Sequence, residues 1–309
     1  MNVSLLLLGG AKRVTLAEKL LSICHSFLQL DLYSMEKDSD FYPISSLAKI
    51  ISGPSFSSPA LKQALVDFIS QYTNPIIIPC MDTAVSAVAA LNGQSYGKTT
   101  IIGPTIEGAV VGLNKIATAN FCEKTGVPYP TLFNSTKDII GKAIAKPIEG
   151  YGSRDIHIYE NPNQIDALIF NTHIVQQFID GIETTHDLYI TRGKSVIASS
   201  RERHFVTAGE VDDCLVRSPD EQEMAIFKKI AASNLFWGPL TVQTIKNDTG
   251  IFLIEINCRF GGGVTASIEA GVPLIENYIF EASGVNIPHR EFKKLRMKRA
   301  RRDFYQVIS

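Results

Sequence analysis

The chain has 309 residues, 45% hydrophobic and 20% charged, which is the balance of a soluble globular protein long enough for two or three domains. A formal net charge of -1 gives no overall field to draw it to nucleic acid or an anionic membrane, so local charge must hold any anion it binds. The cysteines Cys24, Cys80, Cys122, Cys214 and Cys258 are odd in number, widely spaced and without a CxxC pair, which argues against a disulfide framework and structural zinc and fits reduced cytosolic thiols.

The first apolar run, Leu5 to Leu8, is too short for a signal-peptide core, and its basic residues follow rather than precede it. No segment approaches the about 20 apolar residues of a membrane span, so the expected location is cytoplasmic. "VSLLLLGG" reads as a buried strand, "VTLAEKLLSICHSF" as an amphipathic helix, "PIIIPC" as a strand, "AVSAVAALN" as a helix and "TTIIGP" as a strand. That alternation predicts a parallel, doubly wound α/β sheet. Gly9-Gly10 after the first strand is a fragment of a dinucleotide fingerprint, and a tight turn is the better reading because GxGxxG is absent.

"GQSYGKTT" at Gly93 to Thr100 imitates a phosphate-binding loop but fails it. The motif needs glycine where Asn92 stands and a strand before it, whereas here a helix precedes and a strand follows. A helix is predicted from about Lys115 to Thr125, closed by Gly126. "AIAKPIEGYGSRDIHIY" then reads as two strands around a Gly-rich turn, "PNQIDALIFNT" as a helix and "HIVQQFI" as a strand. From Gly181 onward the pattern is strand-rich, with one long helix near Asp220 to Ser233 and a basic tail read as a solvated helix end followed by a closing strand.

Three places carry chemistry. "EGYGS", Glu149 to Ser153, follows Lys146; it stays open between a hairpin turn beside an exposed lysine and a loop whose amides approach an anion. In "FLIEINCRFGGG", Glu255, Asn257 and Arg259 alternate, so a strand turns them to one face while Ile254 and Ile256 point into a core. A carboxylate and an amide oxygen side by side suit Mg²⁺, and an arginine one step on suits a phosphoryl group. Gly261 to Gly263 read as the entry to a helix whose free amides accept another anion. Gln243 would become a further oxygen ligand if its strand pairs with that of Glu255. Among the histidines there is no HExxH spacing, and no GxSxG or Ser-His-Asp arrangement is legible.

Lys115 before a helix, "AKPIEGYGS", "VQQFIDGIETTHD" and "FLIEINCRFGGG", in this order, resemble the ATP-grasp superfamily, and within it proteins similar to the carbamoyl-phosphate synthase large chain and carboxylate-amine ligases. The resemblance implies a parallel α/β pre-ATP-grasp domain over 1–112, then an ATP-grasp domain of two α+β subdomains over 113–309, with a lid at about 117–180 and a C-terminal part at about 181–309. It implies ATP and Mg²⁺, with Mn²⁺ able to substitute. Lys115 and Lys146 match the lysines that approach the phosphates, and Gly150, Gly152 and Ser153 the covering loop. Gln176, Gln177, Phe178 and Ile179 match the adenine-reading segment, and Glu183 the ribose acid. Glu255 and Asn257 match the metal ligands, Gln243 a third, and Arg259, with Lys146, the catalytic cations. The family often has an acid where this chain has Gln243.

Arg203, with Arg201 and "TAGE" at Thr207 to Glu210, matches a segment near the substrate or phosphate pocket, and reads otherwise as a solvated strand edge; Gly262 and Gly263 match the substrate floor. The implied activity is ADP-forming activation of a small-molecule carboxylate as an acyl phosphate for attack by an amine. Two alternatives are a nucleotide-binding regulatory or partner subunit without turnover, and a carbamoyl-phosphate-synthase-like phosphotransferase. The expected partners are small-molecule carboxylate and amine substrates, with no nucleic acid and no membrane; a homodimer is left open.

Overall fold

The apolar run after Asn2 is buried on both sides because it forms the middle of a parallel sheet covered on both faces. In the computed structural model, which describes residues 1–38, 40–150, 155–207, 210–300 and 302–307, the chain begins with β1 (Asn2–Leu8), α1 (Val14–Cys24), β2 (Gln29–Glu36), β3 (Lys49–Ser52), α2 (Ala60–Gln71), β4 (Pro75–Pro79) and α3 (Asp82–Ala89). All four strands are parallel, in the order β3-β2-β1-β4. Val3, Leu5 and Leu7 face Leu16, Ala17 and Leu20 of α1, while Leu6 and Leu8 face Leu61 and Leu65 of α2 and Val88 of α3. The chain leaves β1 on one side toward β2 and returns on the other to β4, so the switch point of the sheet lies at the C-terminal ends of β1 and β4.

The pattern-based reading missed β2, β3 and α2, and it overestimated "TTIIGP". Only a two-residue ladder forms there, between β5 (Ser95–Tyr96) and β6 (Thr99–Thr100). Ile101 and Ile102 are buried in different clusters instead of pairing in a sheet. Next come α4 (Ile106–Leu113) and α5 (Lys115–Thr125). Asn114 caps α5 by accepting from the amides of Ile116 and Ala117, and Gly126 ends it at φ 65°, left-handed as its closing glycine requires.

A small antiparallel sheet in the order β7-β10-β8-β9 follows, from β7 (Leu132–Phe133), β8 (Ala143–Pro147), β9 (His157–Tyr159) and β10 (His173–Gln177). The helix expected at "PNQIDALIFNT" is replaced by two 3₁₀ turns, Pro162–Gln164 and Ala167–Asn171. Asn161 and Asp166 each cap one turn with a side-chain oxygen, which splits the segment.

The largest sheet is antiparallel, in the order β15-β14-β11-β12-β13-β16. It consists of β11 (Ile182–Ile190), β12 (Val196–Thr207), β13 (Glu210–Arg217), β14 (Gly238–Asn247), β15 (Gly250–Asn257) and β16 (Leu295–Lys298), with α6 (Glu221–Ala232), α7 (Val264–Glu269) and α8 (Leu274–Ser283) between them. One face buries Val242, Leu253 and Ile256 against Ile226, Phe227 and Ile230 of α6. The other faces a cleft. Helices α7 and α8 cross to the first sheet, where Ile268, Leu274 and Ile279 join the β1 cluster and the Tyr278 hydroxyl donates to the Ile77 carbonyl at 2.6 Å. In the tail a strand, β16, forms within the basic stretch, the expected helix end does not form, and residues 302–307 after it carry no strand. Gly284 ends α8 at φ 72°, Pro288 opposes a restart, and the Lys293 amide is committed to the Ala270 carbonyl. All five cysteines are buried and unpaired, and among the described residues no helix is long and apolar enough to cross a membrane.

Candidate functional site

A β-bulge decides which way the acid of "FLIEINCRF" points. In the β14–β15 hairpin Gln243 pairs with Glu255 but Thr244 pairs with Leu253, so Ile254 is an extra residue. Ile251 and Leu253 face the core before the bulge, and Ile256 and Cys258 face it afterwards. Continued as a regular pleat that counts Ile254, the phase of Ile251 and Leu253 would turn Glu255 and Asn257 into that core. The expectation that Ile254 points inward with Ile256 is therefore corrected. Ile254 shares the cleft wall with Glu255 and Asn257.

Three strands line up beneath this wall. Glu255 lies beside Gln243, Gln243 beside Thr185 and Thr185 beside Arg201, all on the cleft face. The cleft has a volume of about 720 Å³. Among the described residues no hydrogen bond or ion pair engages the Glu255 carboxylate. Burial, reinforced by nearby Asp82, pushes its pKa up, while Lys115, Arg259 and Lys146 pull it down. A lone carboxylate flanked by the amide oxygens of Gln243 and Asn257 is a hard-oxygen donor set that fits Mg²⁺.

Lysines approach from two other elements. Lys115, the first residue of α5, donates to the Gly150 carbonyl at 3.3 Å. Lys146 lies on β8 and is only 9% exposed. Burial lowers both pKa values, and the Glu255 charge is the chief opposing influence at each. In the small sheet, Lys146 is directly opposite Ile174 and Ile144 opposite Gln176, which puts these four on one face; Val175, Ala143 and Ala145 fill the other. Ile144 and Lys146 line the cleft. Gln176 is 1% exposed, and among the described residues both its side-chain polar atoms lack partners. Beyond it, the amides of Gln177 and Phe178 are taken by the carbonyls of Thr131 and Lys142, while Ile179 is buried and, among the described residues, its amide has no backbone acceptor.

The structure also pairs residues that the sequence reading treated separately. Arg203 and Glu183 form one ion pair at the cleft wall. Arg259 is held bidentately by Asp82, with Nε–Oδ1 at 2.7 Å and Nη2–Oδ2 at 2.6 Å. Asp82 is the first residue of α3 and lies 177 positions away in sequence. Sequence reasoning missed it; its only local signal was an acid at the start of a helix following a buried strand. Arg201 is 2% exposed and is bound by Asp187 through Nε at 2.6 Å and Nη2 at 3.2 Å.

Gly261, Gly262 and Gly263 owe their identity to close packing. A Cβ would lie 2.7 Å from Thr241 Oγ1 at the first, 2.6 Å from Glu210 Oε2 at the second and 2.2 Å from Arg201 Nη1 at the third. Gly263 is also the N-cap of α7, without a side-chain cap, and all three glycines line the cleft. Gly150 lines it too, whereas Gly152 and Ser153 lie outside the described residues, as do Ala208 and Gly209 of "TAGE".

Residues 113–263 match the model of the ATP-grasp domain family. Compared by sequence with curated proteins, the chain has no significant match. Among solved structures it is similar to biotin carboxylase from Campylobacter jejuni in a β,γ-ATP complex, at 18% identity and a TM-score of 0.69 over 92% of this chain and 72% of that one. It is similar to the biotin carboxylase domain of Hydrogenobacter thermophilus 2-oxoglutarate carboxylase, complexed with MgADP, ADP and bicarbonate, at 16% identity and a TM-score of 0.70 over 93% and 71%. A third similar structure is N5-carboxyaminoimidazole synthetase from Staphylococcus aureus with ADP, at 14% identity and a TM-score of 0.73 over 96% and 81%. Residues 113–263 thus match the ATP-grasp domain, and the chain, with its N-terminal parallel sheet and two antiparallel sheets, shares the fold of these solved structures.

Proposed function

We propose that the chain is an ATP-dependent ligase, which activates a small-molecule carboxylate as an acyl phosphate and releases ADP before an amine opens the intermediate to an amide. The observation that carries this reading is the unpartnered Glu255 carboxylate, turned into the cleft by the bulge between Gln243 and Asn257 and flanked by the charges of Lys115, Lys146 and Arg259. The domain division at 112/113 and the lid at about 117–180 belong to the same proposal.

In this reading Gln176 and the Ile179 amide receive adenine, Glu183 the ribose, and Gly150 with the loop after it the phosphates. Glu255, Asn257 and Gln243 would hold Mg²⁺, which when bound screens the phosphate charge and draws electron density from the terminal phosphoryl group. Lys115 and Lys146 neutralise the same oxygens from the other side of the cleft. Arg259, oriented by Asp82, faces the phosphoryl group in transit. A carboxylate oxygen of the acid forms a bond to the γ-phosphorus while the bond to the β-bridging oxygen breaks. The amine nitrogen then adds to the acyl carbon, loses a proton, and expels phosphate. The chain supplies alignment and charge compensation for two anions that otherwise repel.

The test is release of ADP and phosphate by the full chain with ATP, Mg²⁺ and a panel of carboxylic acids and amines, with products identified by mass. Acid-dependent ADP release with amide formation supports the proposal. ATP binding without turnover would make the chain a binding module, an acyl phosphate without amide would make it a phosphotransferase, and absent ATP binding would overturn the nucleotide site.

A further inference from the structure

The cleft holds more positive charge than this reading uses. Arg259 is taken by Asp82, Arg203 by Glu183 and Arg201 by Asp187, while Lys115 and Lys146 are assigned to the nucleotide phosphates. Lys12 and Arg13 remain. Both line the cleft, and among the described residues neither has an acid within ion-pair distance. Arg13 Nη2 donates to the Cys80 carbonyl at 3.2 Å, its sole side-chain hydrogen bond among the described residues, which leaves most of the guanidinium's five N–H groups without a protein acceptor there. The acids nearest to Arg13 are both engaged: Asp82 grips Arg259, and Glu210 accepts from Arg299 at 2.7 Å.

The fold fixes where these cations sit. They follow β1 at the switch point of the parallel sheet, where open α/β sheets receive ligands. Gly9, at φ 79°, is pressed against the β4–α3 connection, where a Cβ would lie 2.4 Å from Met81 Cγ. The loop's own anion site is filled from within. The buried Glu36 carboxylate accepts from the Ser34 hydroxyl at 2.6 Å, and the backbone of Gly10 and Ala11 favours its charged form against the upward push of burial. A ligand anion here must therefore be held by side chains. Arg13 and Lys12 enter the cleft from the β1 end of the parallel sheet, whereas Lys146 enters it from β8 of the small sheet.

We propose that the acid activated in this cleft carries a second anionic group, a carboxylate or a phosphate, which Arg13 grips bidentately with Lys12 beside it. The identity of the reacting carboxylate rests on the ligase reading, but the anion subsite is defined without nucleotide and can be tested alone. A substrate with a neutral tail would leave Arg13 unpaired in a partly desolvated place, which supplies the discrimination.

The experiment titrates the full chain, without nucleotide, with matched acids: glutamate against glutamine, aspartate against asparagine, and 3-phosphoglycerate against glycerate. The carboxylate pairs and the phosphate pair separate the two chemistries. ATP affinity is measured independently with a fluorescent analogue. At least one doubly anionic acid should bind tenfold or more tightly than its neutral-tailed partner. Arg13→Ala should weaken that binding by roughly tenfold to a hundredfold, the range for a lost hydrogen bond to a charged group. Lys12→Ala, at an exposed position where folding is not at stake, should weaken it less, and ATP affinity should stay within about twofold in both variants.

Equal affinity within every pair, no binding of any doubly anionic acid, or undiminished binding in both variants overturns the proposal. Loss of ATP affinity alongside that of the acid would assign Arg13 to the nucleotide and overturn it as well. Wild-type protein that binds the acid through Arg13 but not ATP would sink the ligase reading and leave the subsite standing.

Discussion

The three adjacent glycines should respond very differently to alanine, and the order follows from what each Cβ meets. None of them has a left-handed φ, so packing rather than backbone strain sets the cost. At Gly263 the new methyl lies 2.2 Å from Arg201 Nη1 and 2.7 Å from its Cζ. Arg201 cannot yield cheaply, because it is 2% exposed and tied twice to Asp187, itself 1% exposed and bonded to the Ser267 hydroxyl at 2.6 Å. Breaking such a buried pair costs about 3–5 kcal/mol, and moving the start of α7 instead costs about 1–3 kcal/mol as overpacking, so about 3 kcal/mol is expected. At Gly261 the obstacle is Thr241, whose hydroxyl donates to the Arg259 carbonyl at 3.0 Å; losing that bond costs about 1 kcal/mol. At Gly262 it is the Glu210 carboxylate, with a side chain 59% exposed that can swing away from Arg299 for less than about 1 kcal/mol. That cost is offset by the reduced freedom of the unfolded chain, about 0.4–1 kcal/mol. Urea unfolding followed by Trp237, the only tryptophan, measures all three variants. A Gly263→Ala protein as stable as wild type, or a Gly262→Ala protein less stable than it, would refute the packing argument.

Glu255→Ala should reduce Mg²⁺-dependent ADP release by a hundredfold or more with no loss of melting temperature, because the carboxylate has no protein partner to lose; unchanged turnover removes Glu255 from the metal site. Asp82→Asn should lower kcat about tenfold to a hundredfold while leaving ATP affinity nearly unchanged, since Arg259 loses the bidentate contact that aims it, and steady-state kinetics with a normal kcat would reject that role. His186, buried between the hydroxyls of Ser200 and Thr244, has its pKa lowered by burial to about 4. Below its ordinary value of 6.5 the unfolded chain takes up a proton that the folded chain refuses, so stability should fall by up to roughly 3 kcal/mol as pH drops from about 6.5 to about 4. His186→Asn should flatten that slope, and equal slopes in denaturant titrations across the window would exclude His186 as the cause.

Long periodic elements were legible because their signals are local. Helix α5 carries its own caps at Asn114 and Gly126, and α6 carries a capping box between Asp220 and Glu223. The misread segments turn on competition that periodicity does not register. Asn161 and Asp166 divert a helical pattern into 3₁₀ turns, and Ile101 and Ile102 are apolar and β-branched yet serve two packed clusters without a strand partner. At the site, the pairings of Arg259 with Asp82 and Arg201 with Asp187 are long-range products of the fold. No spacing rule in one chain reports them.

The alternation of Glu255, Asn257 and Arg259 reached the cleft face by an inference whose middle step was wrong. Period two alone, counted from Ile254 and Ile256, gives the correct face for the acid while assigning Ile254 to the core, because that count begins after the irregularity. Counted from Ile251 and Leu253, which do face the core, the same rule buries Glu255. The bulge at Ile254 reconciles the two halves of β15. It lets one short strand continue the core on its inner face and still present an acid and an amide to the cleft. A regular β15 of the same sequence would put Leu253 and Glu255 on one face, burying both or neither. Deleting Ile254 would therefore remove a hydrophobic side chain from the cleft and leave a regular strand, in which Leu253 and Ile256 still face the core and Glu255 and Asn257 still face the cleft, so the irregularity is what absorbs the extra residue without turning the acid inward.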